Sequence, residues 1–410
     1  MTQTLPAPNV GRAGASARSV ALATYVFAVI MANTTLPTPL YAIYAGRLHL
    51  KPLMITVIFS AYAIGVLASL LLFGRLSDHI GRKPVVGVAM ALTAASATVF
   101  TVSGSLPALL TGRVLSGLAA GLVTGAATAY VSELHHDRKR GSLIATFANM
   151  GGLGCGPLIS GILAAHAPRP TQLPYIVGGA LLLPALFLLK APDTVEGRPG
   201  GLRSGIKPQR LGVPREIRGP FAAAAIGGFV GFALLGFVTA LVGNFLGQGL
   251  ADRSHQTAGI VAFLVFAAGT FGQLLAGRIS ARTASLVGLA VLPVGLLLIT
   301  LALPAKSLAL FLVGAMVGGG AVGYAFRAAV LTLNTIAPPD RRAEVLSTFF
   351  VVAYIGITVP VVGTGLLLTT TTLLTATVTL AAFLTALAAI AASILVRLPA
   401  VHREQAAQPR

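Results

Sequence analysis

A series of long apolar runs, separated by short polar links, constrains this chain more than any other feature. Of its 410 residues, 55% are hydrophobic and 10% are charged, whereas a soluble protein carries about a quarter charged residues. A helix needs roughly 20 apolar residues to cross a bilayer, and each run is close to that length or longer. The runs predict membrane-spanning helices near residues 19–44, 52–73, 84–104, 107–131, 142–165, 174–190, 219–246, 257–276, 283–303, 308–333, 344–368 and 372–396.

The runs form two sets of six around one long polar segment. This segment is rich in Pro and Gly, and it holds seven Lys or Arg residues when Lys190 is counted, which is typical of a linker. The first run is interpreted as a retained helix, because no cleavage pattern follows it. We predict an N-terminal tail at 1–18, a six-helix bundle at 19–190, a linker at 191–218, a second six-helix bundle at 219–396 and a C-terminal tail at 397–410.

The positions of the basic residues predict orientation. The chain has 29 Lys and Arg and a net charge of +19. If both termini are cytoplasmic, 22 of these cations fall in cytoplasmic segments, five fall in outer loops and two, Arg113 and Arg327, lie within helices. This bias predicts a multi-pass protein of the cell (plasma or inner) membrane with cytoplasmic tails and linker. Short basic loops indicate contact with membrane lipids rather than with nucleic acid.

The two sets of runs are related by a constant offset of 203 residues. Six helices per repeat return the chain to the same side of the membrane, so the repeats are parallel. The sequence therefore predicts an all-α polytopic membrane protein, with 12 transmembrane helices in two parallel six-helix repeats. The matching segments are Gly74-Arg75-x-Ser77 with Gly277-Arg278-x-Ser280, Asp137-Arg138 with Asp340-Arg341, and Leu143, Phe147 and Pro157 with Leu346, Phe350 and Pro360.

The link between the second and third runs reads Gly74-Arg75-Leu76-Ser77-Asp78-His79-Ile80-Gly81-Arg82-Lys83. It resembles G-x-L-[AS]-D-x-x-G-R-[KR], the signature loop of the major facilitator superfamily, at every fixed position. The resemblance implies the major facilitator fold, a transporter rather than an enzyme, and a substrate cavity between the two halves. It also implies a conformational latch formed by Gly74, Asp78, Gly81, Arg82 and Lys83, with Glu133 pairing to Arg82 and Asp78 approaching the eleventh helix near Arg341.

The fourth run contains Arg113, followed by glycines at positions 117, 121 and 125, and resembles the second motif of the family. An Arg at the centre of a bilayer costs about 2.5–3.5 kcal/mol, so we expect its side chain to face protein or a water-filled interior. In the family this Arg is associated with proton or substrate handling. The alternative is that Arg113 hydrogen-bonds backbone carbonyls and fixes helix packing.

The fifth run contains Gly152, Gly156, Pro157 and Gly161, and resembles the G-x-x-x-G-P-x-x-G-G motif of the antiporters of the family, with Ser160 in place of one glycine. Pro157 bends the helix, and the glycines leave a surface that another helix can approach closely. The resemblance favours export over uptake. The alternative is that Gly and Pro are common in membrane helices.

Other polar side chains within the runs are candidates for a substrate and proton pathway, or for ordinary hydrogen bonds between helices. Arg327 either faces the cavity or extends toward the cytoplasmic surface. None of the ten acidic residues lies in the middle of a run, and cations without anions in the membrane favour neutral or anionic substrates. The candidates besides Arg113 and Arg327 are Asn33, Thr34, Tyr41, Tyr62, Asn149, Asn244, Gln273, Tyr324 and Tyr354.

We predict a secondary active exporter of small organic molecules, resembling the bacterial drug or metabolite:proton antiporters. It would act as a monomer by alternating access, with the proton gradient as its energy source and no cofactor. The alternative is a facilitator or importer of a small organic anion that uses Arg113 and Arg327. The chain has no His, Cys or acidic cluster of the kind that a membrane enzyme or a metal site needs.

Overall fold

The computed structural model describes residues 17–195 and 208–398. Most of both predicted tails and the middle of the predicted linker lie outside the described residues. The helices of the N-terminal half are α1 Ala17–Thr35, α2 Pro52–Phe73, α3 Arg82–Val102, α4 Leu106–Leu134, α5 Arg138–His166 and α6 Leu173–Ala180. The helices of the C-terminal half are α7 Arg218–Asn244, α8 His255–Ala276, α9 Ala281–Ala302, α10 Leu308–Ile336, α11 Arg342–Leu367 and α12 Leu373–Arg397.

Eleven helical segments in the described ranges are long and apolar enough to cross a membrane, and the sixth run is shorter. Prolines account for two places where the helix of a predicted run is interrupted. Helix α1 ends ahead of Pro37 and Pro39, and a 3₁₀ turn precedes the short helix Tyr41–Arg47. Helix α6 gives way to the 3₁₀ segment Pro184–Lys190. A proline has no N–H to donate to the preceding turn, which explains these two breaks. Pro157, Pro293 and Pro360 lie within α5, α9 and α11, and these helices continue through them.

The starts of α1 and α7 and the end of α12 share one side of the bundle, which we call the terminus side; the opposite side is the far side. Consecutive long helices run antiparallel through short loops, and Gly219 in the first turn of α7 lies beside Leu398 after α12. The short helix Leu76–Ile80 between α2 and α3 is therefore on the terminus side.

Two helix pairs join the halves: α5 packs against α8, and α2 packs against α11. Adding 203 to the number of the first residue of α2 gives the first residue of α8. The same addition to the first residue of α5 gives Arg341, the residue before α11. The two junctions are thus equivalent positions of the repeat. A two-fold arrangement of this kind leaves the middle of the bundle between the halves for a shared site.

The junction of α5 and α8 depends on two glycines. A Cβ atom added to Gly161 would lie 2.6 Å from the carbonyl oxygen of His255 and 3.1 Å from the Cα of Gly259. A Cβ added to Gly259 would in turn lie against the Pro157 carbonyl oxygen. The two backbones are in contact, so neither position accepts a side chain without moving the helices apart.

We expect Gly161→Ala to destabilise the protein by about 1–3 kcal/mol, the range for overpacking a tight interior contact. Gly151→Ala is the matched control, because it lies on the same helix with open space around its Cα. Thermal unfolding in detergent measures both, and we expect a lower midpoint for Gly161→Ala alone. Equal midpoints for the two variants would contradict the close crossing of α5 and α8.

Candidate functional site

A cavity of about 140 Å³ lies between the two halves. It is lined by side chains from α1, α2, α4 and α5 on one side and from α7, α8, α10 and α11 on the other. Every helix of the two junctions therefore contributes to it. We call this space the central cavity.

The buried cation Arg113 of α4 lies in the wall of the central cavity, with 3% of its surface exposed. Its Nη1 donates a 2.6 Å hydrogen bond to the carbonyl oxygen of Thr34. That carbonyl is at the end of α1, where Pro37 stops the helix and the last carbonyls have no partner in the next turn. The guanidinium also lies over the ring of Tyr62, 4.6 Å from its centroid, which is a cation–π contact. The Nε atom of Arg113 has no hydrogen-bond partner.

The structure brings together five of the other polar side chains singled out from the sequence. They approach the central cavity from both halves, and the Oδ1 atom of Asn149 is buried without a hydrogen-bond partner. The five residues are Thr34, Tyr62, Asn149, Gln273 and Tyr354.

Four predicted pathway residues lie away from the central cavity. Asn33 donates hydrogen bonds to the carbonyl oxygens of Val29 and Gly178, so it ties α1 to α6. Tyr41 is buried in the hydrophobic core that follows α1. Asn244 is the last residue of α7, and Tyr324 packs on a small cluster of alanines from α8, α9 and α10. Hydrophobic periodicity and polarity do not separate these packing positions from cavity positions.

Arg327 of α10 also lies outside the wall of the central cavity. Its guanidinium lies over Gly277, the residue that ends α8, and Nη2 is 3.1 Å from the position that a Cβ would occupy there. This end of α8 is on the terminus side, so the side chain extends toward that surface. Of the two positions expected for Arg327, this conformation has the one that extends toward the surface.

Aromatic side chains form much of the cavity wall, and the sequence did not distinguish them. A phenylalanine in an apolar run has the same appearance whether it faces lipid, a neighbouring helix or a cavity. Their flat faces and lack of polar atoms make the cavity predominantly apolar. They are Phe59, Phe232, Phe266, Phe326 and Phe350.

Carboxylates are absent from the central cavity as far as the structure describes the chain. All eight acidic residues in the described ranges lie in loops or at helix ends. No group of three or more His, Cys, Asp or Glu residues in those ranges is placed to hold a metal ion. The eight acidic residues are Asp78, Glu133, Asp137, Asp193, Glu216, Asp252, Asp340 and Glu344.

A second group of polar residues, the Arg82 cluster, lies on the terminus side of the N-terminal half. It consists of Asp78, Arg82, Glu133, Asp193 and Thr194. The guanidinium of Arg82 donates to Asp78, and it donates to both oxygens of Glu133 through Nε at 3.3 Å and Nη2 at 3.0 Å. The Arg82 side chain is only 12% exposed, so its bonds to Glu133 are partly shielded from water, whereas the Asp78 carboxylate is 56% exposed.

The Arg82 cluster explains the requirement for glycine at position 81. Gly81 has φ of 104°, a conformation that residues with a side chain rarely adopt. A Cβ at this position would also collide with the carboxylate of Asp193. That carboxylate accepts the backbone N–H groups of Arg82 at 3.0 Å and Lys83 at 3.1 Å, and so caps the start of α3. The Lys83 ammonium donates to the carbonyl oxygen of Ala191.

The two remaining latch residues border the end of the linker. Gly74, just after α2, lies against the Gln209 side chain. Arg341, just before α11, donates to both oxygens of Glu344 at 3.0 Å, and this pairing raises the pKa of the guanidinium. In this conformation Asp78 therefore pairs with Arg82 instead of approaching Arg341.

Residues 208–214 of the linker, which we call the linker end, run between α2 and α11. Gln209 donates its backbone N–H to the carbonyl oxygen of Leu71 at 2.8 Å and accepts a hydrogen bond from Ser347 at 2.9 Å. Gly212 donates to the Thr348 hydroxyl at 2.9 Å. The linker end thus occupies the crevice in which the loop after α2 and the start of α11 would otherwise meet.

The motif glycines of α5 face two different helices. Gly152 and Gly156 are packed against the backbone of α1, near Ala28 and Ala32. Gly161 is packed against α8 in the other half, as described above. Helix α5 therefore connects α1, which ends beside Arg113, to the junction between the halves.

A family model of the Major Facilitator Superfamily matches residues 22–359. The chain belongs to the major facilitator superfamily. This confirms the family and the fold class that the sequence predicted. The prediction of a transporter of this superfamily rather than an enzyme is also confirmed by this match.

Curated relatives from this superfamily are similar at modest identity. The multidrug resistance protein MdtL of Escherichia coli O81 (strain ED1a) is 27% identical over 172 residues, covering 40% of this chain and 42% of MdtL. The uncharacterized MFS-type transporter YybF of Bacillus subtilis is 25% identical over 249 residues, covering 60% of each chain. The chain thus matches about two fifths of the length of MdtL.

Solved superfamily structures match most of the chain. The nucleoside transporter NupG superposes with a TM-score of 0.71 at 14% identity, covering 92% of this chain and 99% of NupG. The human organic anion transporter MFSD10 superposes with a TM-score of 0.66 at 17% identity, covering 92% of this chain and 99% of MFSD10. At these identities the likeness establishes the fold alone.

For this superfamily member we expect Asp193→Ala to lower the free energy of unfolding by about 1 kcal/mol, the usual cost of a lost helix cap. Amide hydrogen exchange should accelerate at Arg82 and Lys83, because their N–H groups lose the carboxylate. Unchanged exchange at both amides would contradict the cap.

Asp137→Ala is the matched control for this measurement. Asp137 caps α5 by accepting the N–H groups of Lys139 and Arg140, and these bonds lower the pKa of its carboxyl. The cap is therefore intact at neutral pH and is lost only as the pH falls. This variant should accelerate exchange at the start of α5 and leave α3 unchanged.

Proposed function

We propose that the protein exports small organic molecules from the cytoplasm across the cell membrane by alternating access, in exchange for protons. The observation that carries this proposal is the central cavity, which takes its walls from both halves of the repeat. A site shared by two bundles opens to one side and then to the other when the bundles tilt, without any change in its own composition.

Two further observations favour export over uptake. MdtL is named as a multidrug resistance protein, and it is similar over two fifths of its length. The antiporter-like motif of α5 supplies the glycine crossing with α8, where the halves touch on the far side. We propose that this crossing keeps the far side closed while the cavity receives cargo from the terminus side.

The proposed orientation places the terminus side in the cytoplasm. Basic residues are concentrated in the loops of that side, as expected for cytoplasmic loops. In this orientation the Arg82 cluster and the linker end lie at the cytoplasmic entrance. We propose that the entrance closes when Asp78 moves to the start of α11, where the helix dipole favours an anion.

Proteoliposomes test this proposal. In vesicles with the terminus side outward, an acidic lumen should drive accumulation of labelled cargo from a panel of neutral, cationic and anionic compounds. A protonophore should abolish the accumulation. Accumulation that is unchanged by the pH gradient and by the protonophore would exclude proton antiport.

Asp78→Asn should lose most of the transport rate and keep the thermal unfolding midpoint, because a half-exposed carboxylate adds little stability. Asp340→Asn is the control: it removes an exposed carboxylate on the same side, and we expect normal transport. Full transport by Asp78→Asn would show that the latch does not operate.

A further inference from the structure

The charge of Arg113 is not balanced within the central cavity. Its described partners are a backbone carbonyl and the faces of Tyr62 and Phe59, all of which are neutral, and its Nε is unpaired. None of the eight acidic residues in the described ranges reaches it. A buried cation with no counter-ion is costly, and an anion that enters the same cavity removes that cost.

The size of the central cavity limits what that anion is. A cavity of about 140 Å³ is close to the roughly 150 Å³ apolar cavity that holds one benzene ring in an engineered protein. Phenylalanine side chains line it from both halves, including Phe59, Phe232 and Phe326. Such walls stack favourably on a flat ring.

We propose that the central cavity selects single-ring aromatic carboxylates, with the carboxylate on the guanidinium of Arg113 and the ring among the phenylalanines. This assignment rests on the proposed function, because it takes the central cavity to be the transport site. The planar guanidinium matches a carboxylate with two parallel N–H donors, which a neutral amide ligand does not reproduce.

A second polar group in the cavity wall limits the class of ligand further. The Oδ1 atom of Asn149 is buried beside the cavity with no partner, and an unpaired acceptor in such a place is unfavourable. When the amide turns Oδ1 toward the cavity, a hydroxyl or amino substituent on the ring satisfies it. Monohydroxy and monoamino benzoates should therefore bind at least as well as benzoate itself.

Equilibrium binding of labelled benzoate to the purified full chain in detergent is the test. Benzamide has nearly the same shape without the charge, so we expect benzoate to bind about tenfold more tightly or better. Benzylammonium should not compete. Naphthoate should compete poorly, because its second ring exceeds the cavity.

Variants locate the site. Arg113→Gln should weaken benzoate binding by about tenfold or more and leave benzamide binding unchanged. Arg113→Lys keeps the charge and should retain part of the preference. Arg327→Gln is the matched control, since it removes the other membrane Arg without touching the cavity wall. If Arg113→Gln does not fold, the comparison of benzoate, benzamide and benzylammonium binding to the unchanged protein still tests the proposal.

Equal binding of benzoate and benzamide, no binding of either, or equal losses in Arg113→Gln and Arg327→Gln would overturn the proposal. Vesicle transport separates this failure from failure of the proposed function. Export of a neutral or cationic compound without benzoate binding would support the proposed export function and contradict the anion site. Benzoate binding without export of any compound would support the anion site and contradict the proposed export function.

Discussion

The guanidinium of Arg113 is the constraint around which the middle of the molecule is arranged, because a bilayer offers no partner to a cation. The guanidinium is instead contacted by a backbone carbonyl and an aromatic ring of the protein. Pro37 ends α1 and leaves the Thr34 carbonyl free, and Tyr62 presents a ring face from α2. The break in α1 is thus more than an irregular turn. It exposes the negative end of a helix dipole to a buried positive charge.

The two repeats share their helices but differ in their charges. Adding 203 to Asp78, Arg82, Glu133 and Asp193 gives Ala281, Ser285, Ile336 and Val396. The C-terminal half therefore has no counterpart of the Arg82 cluster, and the start of α9 is capped by its own Ser280 instead. In the proposed tilting of the two halves, the ionic latch would therefore use the Arg82 cluster of the N-terminal half, and no equivalent cluster of the C-terminal half.

The sequence predicted what depends on local patterns, and it failed where partners are distant in the chain. Apolar length and the repeat offset predicted the helices and the two-fold arrangement. The sequence did not single out Asp193, because the N–H groups that it caps lie 110 residues away. Asn33 and Asn149 look alike as polar residues in apolar runs, yet one ties α1 to α6 and the other lines the cavity. Which way a helix faces is decided by packing, and a single sequence does not show it.

The linker end would take part in the proposed change of conformation, because it is hydrogen-bonded to both halves. Gln209 is hydrogen-bonded to Leu71 of α2 and Ser347 of α11, and Gly212 to Thr348. In the proposed closure, movement of the loop after α2 toward α11 would break these bonds or displace the segment. Each such bond contributes only about 1 kcal/mol, so these bonds favour the conformation with the linker end in the crevice without locking it.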